Sequence, residues 1–259
     1  MWGLRAAGQG PLVIGHRGAS AREPENSVEA FARARADGAD GVELDVLLCK
    51  SGEVVVFHDD DLARLAGRSE RVDALTLAQL RDVPLTSGAR IPTLEEAFEA
   101  CGPSLLVNVE LKSMRTGLAL AQLAALADGV ARVVERVGAA SRVLVSSFDP
   151  FAVRAWRRRE PEIPAALLFE RDLPLPLRRA WAARFLRPAA LNPEFVLCTQ
   201  ERIDRWHERG YAVNVWTVDG EGPVRACQEL GVDGVITNDP ARTRRILEAR
   251  GPSKSSASP

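Results

Sequence analysis

The sequence predicts an α/β protein whose fold is a (β/α)8 TIM barrel with a small insertion after the second strand. Eight short apolar runs alternate with longer helical patterns along the 259 residues, which is the arrangement of such a barrel. Charged and polar residues follow several of these runs, and functional residues of such barrels lie at the carboxyl ends of the strands. A doubly wound open sheet is the alternative, but no G-x-G-x-x-G pattern follows the first strand.

The predicted strands are short runs rich in Val, Leu, Ile and Ala. The least marked of them is Ala189–Asn192, because it is short and Pro193 follows it. In chain order the predicted strands are Leu12–Arg17, Gly41–Leu47, Leu105–Leu111, Val143–Phe148, Ala165–Phe169, Ala189–Asn192, Ala212–Val218 and Gly234–Thr237.

Longer runs with helical spacing fill the intervals between these strands. Several begin with an N-terminal capping pattern, as in Pro92-Thr93-Leu94-Glu95-Glu96, and several end at a glycine. In chain order the predicted helices are Ser27–Asp37, Thr93–Cys101, Gly117–Val137, Pro150–Arg159, Pro174–Phe185, Gln200–Arg209, Gly222–Leu230 and Pro240–Ala249.

The alternation is interrupted directly after the second strand. The run Leu47–Val56 reads as an apolar segment, a turn and a second apolar segment, and the turn is too short for a parallel crossover. We therefore expect an antiparallel hairpin with its tip near Ser51-Gly52. Folding the chain at that tip brings Asp45 roughly opposite His58.

Domain organisation follows from these patterns. Residues 10–250 are predicted to form one barrel domain, with the insertion at residues 60–90. The insertion, Asp60–Arg90, is charged and contains a short helix pattern at Thr76–Arg81, and we expect it to form one wall of the active site. The Ser-, Pro- and Gly-rich tail of residues 251–259 is predicted to be disordered.

Composition disfavours several functional classes. Hydrophobic residues make up 46% and charged residues 27% of the chain, which are ordinary values for a globular protein. A formal net charge of −1 gives no reason to expect nucleic acid or an anionic membrane as the main partner. No signal-peptide pattern and no apolar stretch of about 18 residues is present, so we expect a cytoplasmic protein without stable membrane insertion. Four widely spaced cysteines without a C-x-x-C pattern suggest neither a zinc site nor a disulfide framework.

Carboxylates and histidines mark the candidate chemistry. Glu43 and Asp45 are two residues apart on a predicted strand, so both face the same side and converge on one point that suits a hard divalent cation. Glu110 ends the third predicted strand at the same face of the barrel. His16 and His58, two of only 3 histidines in the chain, lie at the ends of strand-like runs. They place acid/base candidates beside a metal candidate.

The chain also carries an ordered series of short motifs. Each motif is weak alone, but their order and spacing are highly specific. They are His16-Arg17-Gly18, Pro24-Glu25-Asn26, Glu43-Leu44-Asp45-Val46, His58-Asp59, Val109-Glu110-Leu111-Lys112, Val215-Trp216-Thr217-Val218 and Gly234-Val235-Ile236-Thr237-Asn238-Asp239-Pro240. Together these motifs resemble the glycerophosphodiester phosphodiesterase family, from Ile14 to about Pro240.

The resemblance implies a TIM barrel with an inserted segment after the second strand. It also implies a divalent metal and the hydrolysis of glycerophosphodiesters to an alcohol and sn-glycerol 3-phosphate. The expected partner is therefore a small-molecule glycerophosphodiester. Ser27 stands where the family usually has Thr, and Ser51 stands near a family Asp in the hairpin tip, which leaves the choice of substrate open.

With this resemblance, the candidate metal ligands are Glu43, Asp45 and Glu110, and the ion is one Mg²⁺ or Ca²⁺ that neutralises the substrate phosphate. His16 and His58 are the candidate catalytic pair. A phosphodiester hydrolase needs a proton removed from the attacking oxygen and one given to the leaving oxygen. Which histidine is the acid and which is the base stays open, as does a cyclic phosphate intermediate.

The substrate-binding candidates are Arg17, Lys112, Asn26 and Trp216. Arg17 and Lys112 are expected to bind the phosphate, one as a fork and the other as a point charge. Asn26 orients Arg17 in one interpretation and caps the helix at Ser27 in the other. Trp216 is expected to pack against the glycerol or to cover the site. The third histidine, His207, is interpreted as a surface residue.

Other functions stay open on the sequence alone. A lysophospholipase D-like phosphodiesterase would use the same site, because its substrates share the glycerophosphate part. A Schiff-base aldolase with Lys112 as the nucleophile is a different chemistry on the same fold, although a carboxylate cluster keeps a neighbouring amine protonated. A non-catalytic phosphodiester-binding module is the third alternative, and the presence of both histidines argues against it.

Overall fold

A computed structural model describes residues 2–6, 9–113 and 120–249 of the chain. Eight parallel strands form a closed barrel, which confirms the predicted fold class. β1 pairs with both β2 and β9, and this closes the sheet. The strands are β1 (Leu12–His16), β2 (Gly41–Leu48), β3 (Val54–Val56), β4 (Leu106–Leu111), β5 (Val143–Ser147), β6 (Ala165–Phe169), β7 (Ala190–Pro193), β8 (Ala212–Val215) and β9 (Gly234–Thr237). All of them except β3, the antiparallel strand of the hairpin, belong to the barrel.

Helices connect the barrel strands, as the alternation of patterns predicts. Among the described residues they are α1 (Val28–Ala36), α2 (Ala63–Ala66), α3 (Leu77–Arg81), α4 (Leu94–Cys101), α5 (Leu120–Arg136), α6 (Pro150–Arg159), α7 (Leu175–Arg178), α8 (Ala183–Leu186), α9 (Gln200–Glu208), α10 (Glu221–Leu230) and α11 (Pro240–Glu248). Short 3-10 turns lie at Val72–Ala74, Ala140–Arg142 and Phe195–Leu197. The first residues of the helix predicted from Gly117, and the tail of residues 251–259, lie outside the described residues.

One predicted helix is wrong. The pattern Pro174–Phe185 forms two short helices, α7 and α8, instead of one continuous helix. Ala180 lies between them with a φ of 51°, in the left-handed region that a right-handed helix does not pass through. This turn buries Ala180 and leaves Trp181 half exposed, so tertiary packing overrides the local helical pattern.

The hairpin after β2 forms as expected. β3 pairs antiparallel with β2, and the register places Val46 opposite Val56. Gly52, with a φ of 94°, lies in the turn at the tip. The amide of Phe57 donates to the carbonyl of Asp45 at 3.0 Å, so the residue before His58 is the direct partner of Asp45.

The apolar core has three parts. A large layer between the barrel and its helices includes Phe31 and Trp156. A smaller cluster inside the barrel includes Ile14, and Trp2 joins it and donates its indole N–H to the carbonyl of Arg142 at 2.9 Å. The insertion buries Leu62 and other apolar side chains with residues of the hairpin in a third cluster. It therefore has its own core on the outer side of β2 and β3.

Two expectations from composition can be compared with the structure. No helix among the described residues is long and apolar enough to cross a membrane. The cysteines, all of them within the described part of the chain, are free thiols.

The turn after β1 brings the chain unusually close to α1. Gly18 has a φ of 84°, and the amide of Ala19 donates to the carbonyl of Ala30 at 3.0 Å. A Cβ atom built on Gly18 would lie 2.6 Å from the carbonyl carbon of Ala30, a distance at which backbone must move. Arg17 precedes this glycine, so the close contact with α1 also fixes the position of Arg17.

We predict that Gly18→Ala destabilises the fold more than Gly38→Ala. Gly38 also has a positive φ, 76°, but a Cβ atom there would meet nothing within 4 Å. Both variants carry the backbone cost of about 1–2 kcal/mol, while Gly18→Ala adds an overpacking cost of about 1–3 kcal/mol. Chemical denaturation measures both losses. Equal losses of stability in the two variants would show that the contact between Gly18 and Ala30 relaxes freely.

Candidate active site

Three buried carboxylates lie together at the carboxyl ends of the barrel strands. Glu43 and Asp45 are on β2 and Glu110 is on β4, and one oxygen of each lies within 4.8 Å of the others. The three residues are 5%, 1% and 7% exposed. The register pairs Asp45 with Glu110, so the sheet itself brings these two side chains together. The convergence expected from the spacing of two residues is therefore present.

The three carboxylates repel one another, and the nearby positive charges do not fully compensate this repulsion. Burial, reinforced by the charges of Asp45 and Glu110, raises the pKa of Glu43 well above its usual value. Burial also raises the pKa of Glu110. Burial opposes ionisation of Asp45 as well, but Lys112, His58 and Arg17 outweigh it and lower the pKa of Asp45. A divalent cation would relieve this repulsion, and oxygen ligands of this kind suit Mg²⁺ or Ca²⁺.

Two cations lie beside the carboxylates. Lys112 Nζ is 2.9 Å from Glu110 Oε1 and 3.4 Å from Asp45 Oδ1, and Arg17 Nε is 3.3 Å from Asp45 Oδ2. Three ionised carboxylates and two cations leave one excess negative charge. A bound divalent cation would change this to one excess positive charge, which complements the single negative charge of a phosphodiester.

Arg17 is held by hydrogen bonds of its backbone amide and of its guanidinium. Its backbone amide donates to Glu43 Oε2 at 3.0 Å, and its Nη1 donates to Glu25 Oε1 at 2.8 Å. Its buried Nε has no hydrogen-bond partner among the described residues, although it lies near Asp45. A buried donor without an acceptor is costly. The charge of Asp45, 3.3 Å away, stabilises the guanidinium in this position.

Asn26 contacts Asp45 and does not cap the following helix. Its Nδ2 donates to Asp45 Oδ2 at 2.8 Å, and its Oδ1 accepts from the amide of Asp45 at 3.3 Å. The cap of α1 is Ser27, whose Oγ accepts from the amide of Ala30 at 3.1 Å. The capping interpretation of Asn26 is therefore wrong. Asn26 instead fixes the orientation of a carboxylate of the cluster.

His16 is oriented by a neutral amide. Its Nδ1 lies 2.8 Å from Asn238 Oδ1. Asn238 Nδ2 donates to Asp219 Oδ2 at 2.6 Å, which fixes the orientation of the amide and makes Oδ1 the acceptor toward the ring. The proton of neutral His16 is therefore on Nδ1. Burial and the charge of Arg17 lower the pKa of His16, so the ring is mostly neutral near neutral pH.

His58 is oriented by a carboxylate. Its Nδ1 lies 2.6 Å from Asp59 Oδ1, so this nitrogen carries the proton and Nε2 is left with its lone pair. Burial lowers the pKa of His58, while Asp45 and Asp59 act in the opposite direction. The two candidate acid/base histidines therefore share one tautomer but differ in the charge of the group behind the ring.

Trp216 lies directly after β8, at the same end of the barrel. Its ring packs edge to face against Phe148 with centroids 5.5 Å apart, and its Nε1 donates to the carbonyl of Asn192 at 2.8 Å. The ring is half-buried. These two contacts hold an aromatic surface at the rim of the barrel.

Several groups that position the site were not assigned a role from the sequence. Asn238 and Asp219 orient His16. Glu25 bonds Arg17, and Arg64 bonds Asp59, the carboxylate behind His58. Asn238 does belong to one of the motifs, but nothing local in the sequence links Arg64 to the site. His207, interpreted from the sequence as a surface residue, is 28% exposed and bonds Asp233 Oδ2 at 2.8 Å, away from the site.

Comparison with known proteins agrees with this geometry. The sequence pattern of the glycerophosphoryl diester phosphodiesterase family matches residues 16–242. A glycerophosphodiester phosphodiesterase from Caldanaerobacter subterraneus is 33% identical over 248 residues, which cover 93% of this chain and 99% of the relative. A phosphodiester hydrolase is the class of enzyme that this barrel and its polar mouth define. The chain belongs to the glycerophosphoryl diester phosphodiesterase family.

Solved structures show the same fold. A glycerophosphodiester phosphodiesterase from Thermotoga maritima superposes with a TM-score of 0.75 at 28% identity, covering 92% of this chain and 99% of that chain. A phosphodiesterase from Oleispira antarctica, solved with its product sn-glycerol-3-phosphate, superposes with a TM-score of 0.81. Its identity is 24%, covering 93% of this chain and 98% of that chain, so the second likeness establishes the fold alone.

Proposed function

We propose that this enzyme hydrolyses glycerophosphodiesters to an alcohol and sn-glycerol 3-phosphate. In this proposal Glu43, Asp45 and Glu110 hold one divalent cation, and His16 and His58 transfer the protons. The observation that carries the proposal is the buried three-carboxylate cluster at the barrel mouth, which has two cations and two oriented imidazoles beside it. Membership of the family and the named activity of the Caldanaerobacter relative support the same reaction.

The carboxylate cluster fits Mg²⁺ or Ca²⁺. All three ligand candidates are oxygen donors, and two of them have a raised pKa because burial and mutual repulsion are not compensated. When bound, such a cation polarises a phosphoryl oxygen and stabilises the charge that develops on it. Asn26 supports the cluster through its two hydrogen bonds to Asp45 and so contributes to substrate binding indirectly.

Arg17 and Lys112 bind the phosphate in this proposal. Arg17 supplies a guanidinium held in place by Glu25 and Asp45, and Lys112 supplies an ammonium beside the same carboxylate cluster. Charge-assisted hydrogen bonds of this kind are stronger than neutral ones and fix the orientation of the anion. Trp216 offers an apolar surface at the rim, against which the carbon atoms of glycerol pack.

The groups behind the two imidazoles favour different proton-transfer roles. A carboxylate stabilises an imidazolium more strongly than a neutral amide does. Burial lowers the pKa of both rings, but Asp59 makes His58 the better suited of the two to take a second proton at Nε2 and give it to the leaving alcohol oxygen. His16, with Asn238 behind it, is suited to accept the proton of the attacking oxygen at Nε2. The attacking oxygen belongs to water or to a substrate hydroxyl.

The alternatives receive different support. A lysophospholipase D-like activity uses the same residues, since lysophospholipid esters share the glycerophosphate part. The aldolase is disfavoured, because Glu110 and Asp45 outweigh the effect of burial and raise the pKa of Lys112 above its usual value. A protonated amine is not a nucleophile.

We predict that removing divalent metal abolishes turnover and that Mg²⁺ or Ca²⁺ restores it. Calorimetry should show one cation bound per chain, and Glu43→Gln should weaken this binding because it removes a buried ligand charge. Glu70→Gln, which changes an exposed carboxylate in the insertion, is the matched control and should bind metal like the wild type. Full activity after dialysis into excess EDTA would refute the metal assignment.

We predict that His16→Ala and His58→Ala each lower kcat by roughly 10²–10⁴-fold, the usual worth of a positioned proton-transfer group. The fold should persist, because both side chains lie at the mouth of the barrel. His207→Gln is the control, since this histidine bonds Asp233, which precedes β9 at the opposite end of the barrel. Either alanine variant that keeps more than about a tenth of the rate would exclude its histidine from proton transfer.

We predict that exchanging the insertion changes the preferred alcohol group more than the metal affinity. The insertion follows His58 directly but contributes none of the proposed ligands or phosphate-binding groups. The chimera should replace residues 68–90 with the segment of a relative and keep Leu62 and Arg64, which pack or bond with the rest of the chain. The assay compares choline, ethanolamine, glycerol, inositol and lysophospholipid esters, with metal affinity measured in parallel. An unchanged order of substrates with a large loss of metal affinity would show the opposite role.

A further inference from the structure

Arg64, in the first helix of the insertion, reaches back to the active-site mouth. Its Nη1 and Nη2 donate to the two oxygens of Glu25 at 2.9 and 2.6 Å. Its Nε donates to Asp59 Oδ2 at 2.6 Å. One guanidinium therefore binds two carboxylates that come from different loops of the barrel, one after β1 and the other after β3.

Each of these carboxylates also holds a residue of the proposed machinery. Glu25 Oε1 accepts from Arg17 Nη1 at 2.8 Å, and Asp59 Oδ1 accepts from His58 Nδ1 at 2.6 Å. The result is a continuous chain of charged hydrogen bonds with Arg64 at its centre. At its ends are the proposed phosphate-binding arginine and a proposed proton-transfer histidine.

We propose that Arg64 is a positioning residue that couples the orientation of Arg17 to that of His58. The proposal rests on the proposed function, because it needs both residues at its ends to act on the substrate. Arg64 itself acts through Glu25 and Asp59. The insertion thereby contributes to catalysis as well as to the wall of the site.

The chemistry of arginine suits this role. A guanidinium presents its donors in a rigid planar fork that matches carboxylates, whereas a lysine ammonium is a single flexible point charge. The Nη pair binds Glu25 in the bidentate arrangement, and the remaining Nε–H points to Asp59. Partial burial opposes ionisation of Asp59, but hydrogen bonds from Arg64 and His58 hold its pKa below the usual value.

The same contacts contribute little to global stability. The Arg64 side chain is 46% exposed, and ion pairs at such a surface add little to the free energy of unfolding. The two carboxylates still have to be held in one orientation for the groups in front of them to be placed. Loss of Arg64 is therefore expected to disturb catalysis while leaving the unfolding transition nearly unchanged.

The first test compares Arg64→Ala and Arg64→Lys with Arg68→Ala. Arg68 is the matched control, because its guanidinium lies in the same insertion and pairs with Glu70. Arg64→Ala should lower kcat/KM by about 10–100-fold, the scale for groups that orient a functional side chain. Arg64→Lys should recover only part of this loss, and Arg68→Ala should stay within about twofold of the wild type.

Single substitutions test separately the contact of Arg64 with Glu25 and its contact with Asp59. Glu25→Gln should mainly raise KM, because it weakens the support of the phosphate-binding Arg17. Asp59→Asn should mainly lower kcat, because it removes the carboxylate behind His58. Arg64→Ala should change both parameters, and its effect should be less than additive with either substitution, since coupled residues share one interaction.

A spectroscopic measurement reports the geometry without turnover. The chain has 3 histidines, so their ring nitrogens give a simple ¹⁵N spectrum that single substitutions assign. In the wild type His58 should be protonated at Nδ1, and Arg64→Ala should introduce the other tautomer because Asp59 is no longer fixed. The signal of His207, which bonds Asp233, should not change and serves as the internal control.

The outcomes distinguish the two proposals. If Arg64→Ala matches Arg68→Ala in kinetics and leaves the His58 signal unchanged, while His58→Ala is inactive, the positioning role is refuted and the proposed function stands. If His58→Ala is fully active, the proposed function itself fails. A fall in the unfolding midpoint that accounts for the whole loss of activity would also refute the positioning role.

Discussion

The central constraint of this structure is the mutual repulsion of three buried carboxylates. Glu43, Asp45 and Glu110 are placed by two adjacent parallel strands whose register is part of the barrel, so they cannot move apart without disturbing the sheet. Their charges must be balanced where they stand. The nearest charges, Arg17 and Lys112, balance two of the three, and the raised pKa of Glu43 shows what remains uncompensated. This uncompensated charge is the basis of the proposal that the cluster holds a divalent cation.

The backbone around the cluster is shaped by the same requirement. Arg17 and Asn26 both have left-handed φ values, 54° and 55°, which are uncommon for residues other than glycine. These conformations allow the amide of Arg17 to bond Glu43 and the side-chain amide of Asn26 to bond Asp45. Such strain persists only where surrounding contacts determine it, and here the contact of Gly18 with α1 does so. The loop after β1 thus supplies two of the groups that bond the carboxylates, and its contact with α1 holds it in place.

Features that depend on short-range patterns were predictable, and features that depend on tertiary contacts were not. Strand alternation placed Glu43 and Asp45 on one face because the period of a strand is fixed. The short turn after β2 dictated the hairpin. In contrast, Ala180 interrupts a helix that its local sequence favours, because the structure places it in a turn with a left-handed φ. Arg64 is separated from Glu25 by 39 residues, and a charged residue in a polar insertion carries no signal of its partner.

Arg64 links the insertion to the mouth of the barrel without contacting the three clustered carboxylates directly. The insertion packs its apolar side chains on the outer face of the hairpin, in a cluster separate from the barrel core. The contacts described for Arg64 reach the mouth through Glu25 and Asp59, which lie behind Arg17 and His58 and not among the three clustered carboxylates. In the proposed function, changes farther along the insertion are therefore expected to act on substrate choice, whereas a change at Arg64 is expected to act on the orientation of Arg17 and His58. The proposal thus assigns two separate roles to one segment of the chain, one in substrate choice and one in the geometry of the site.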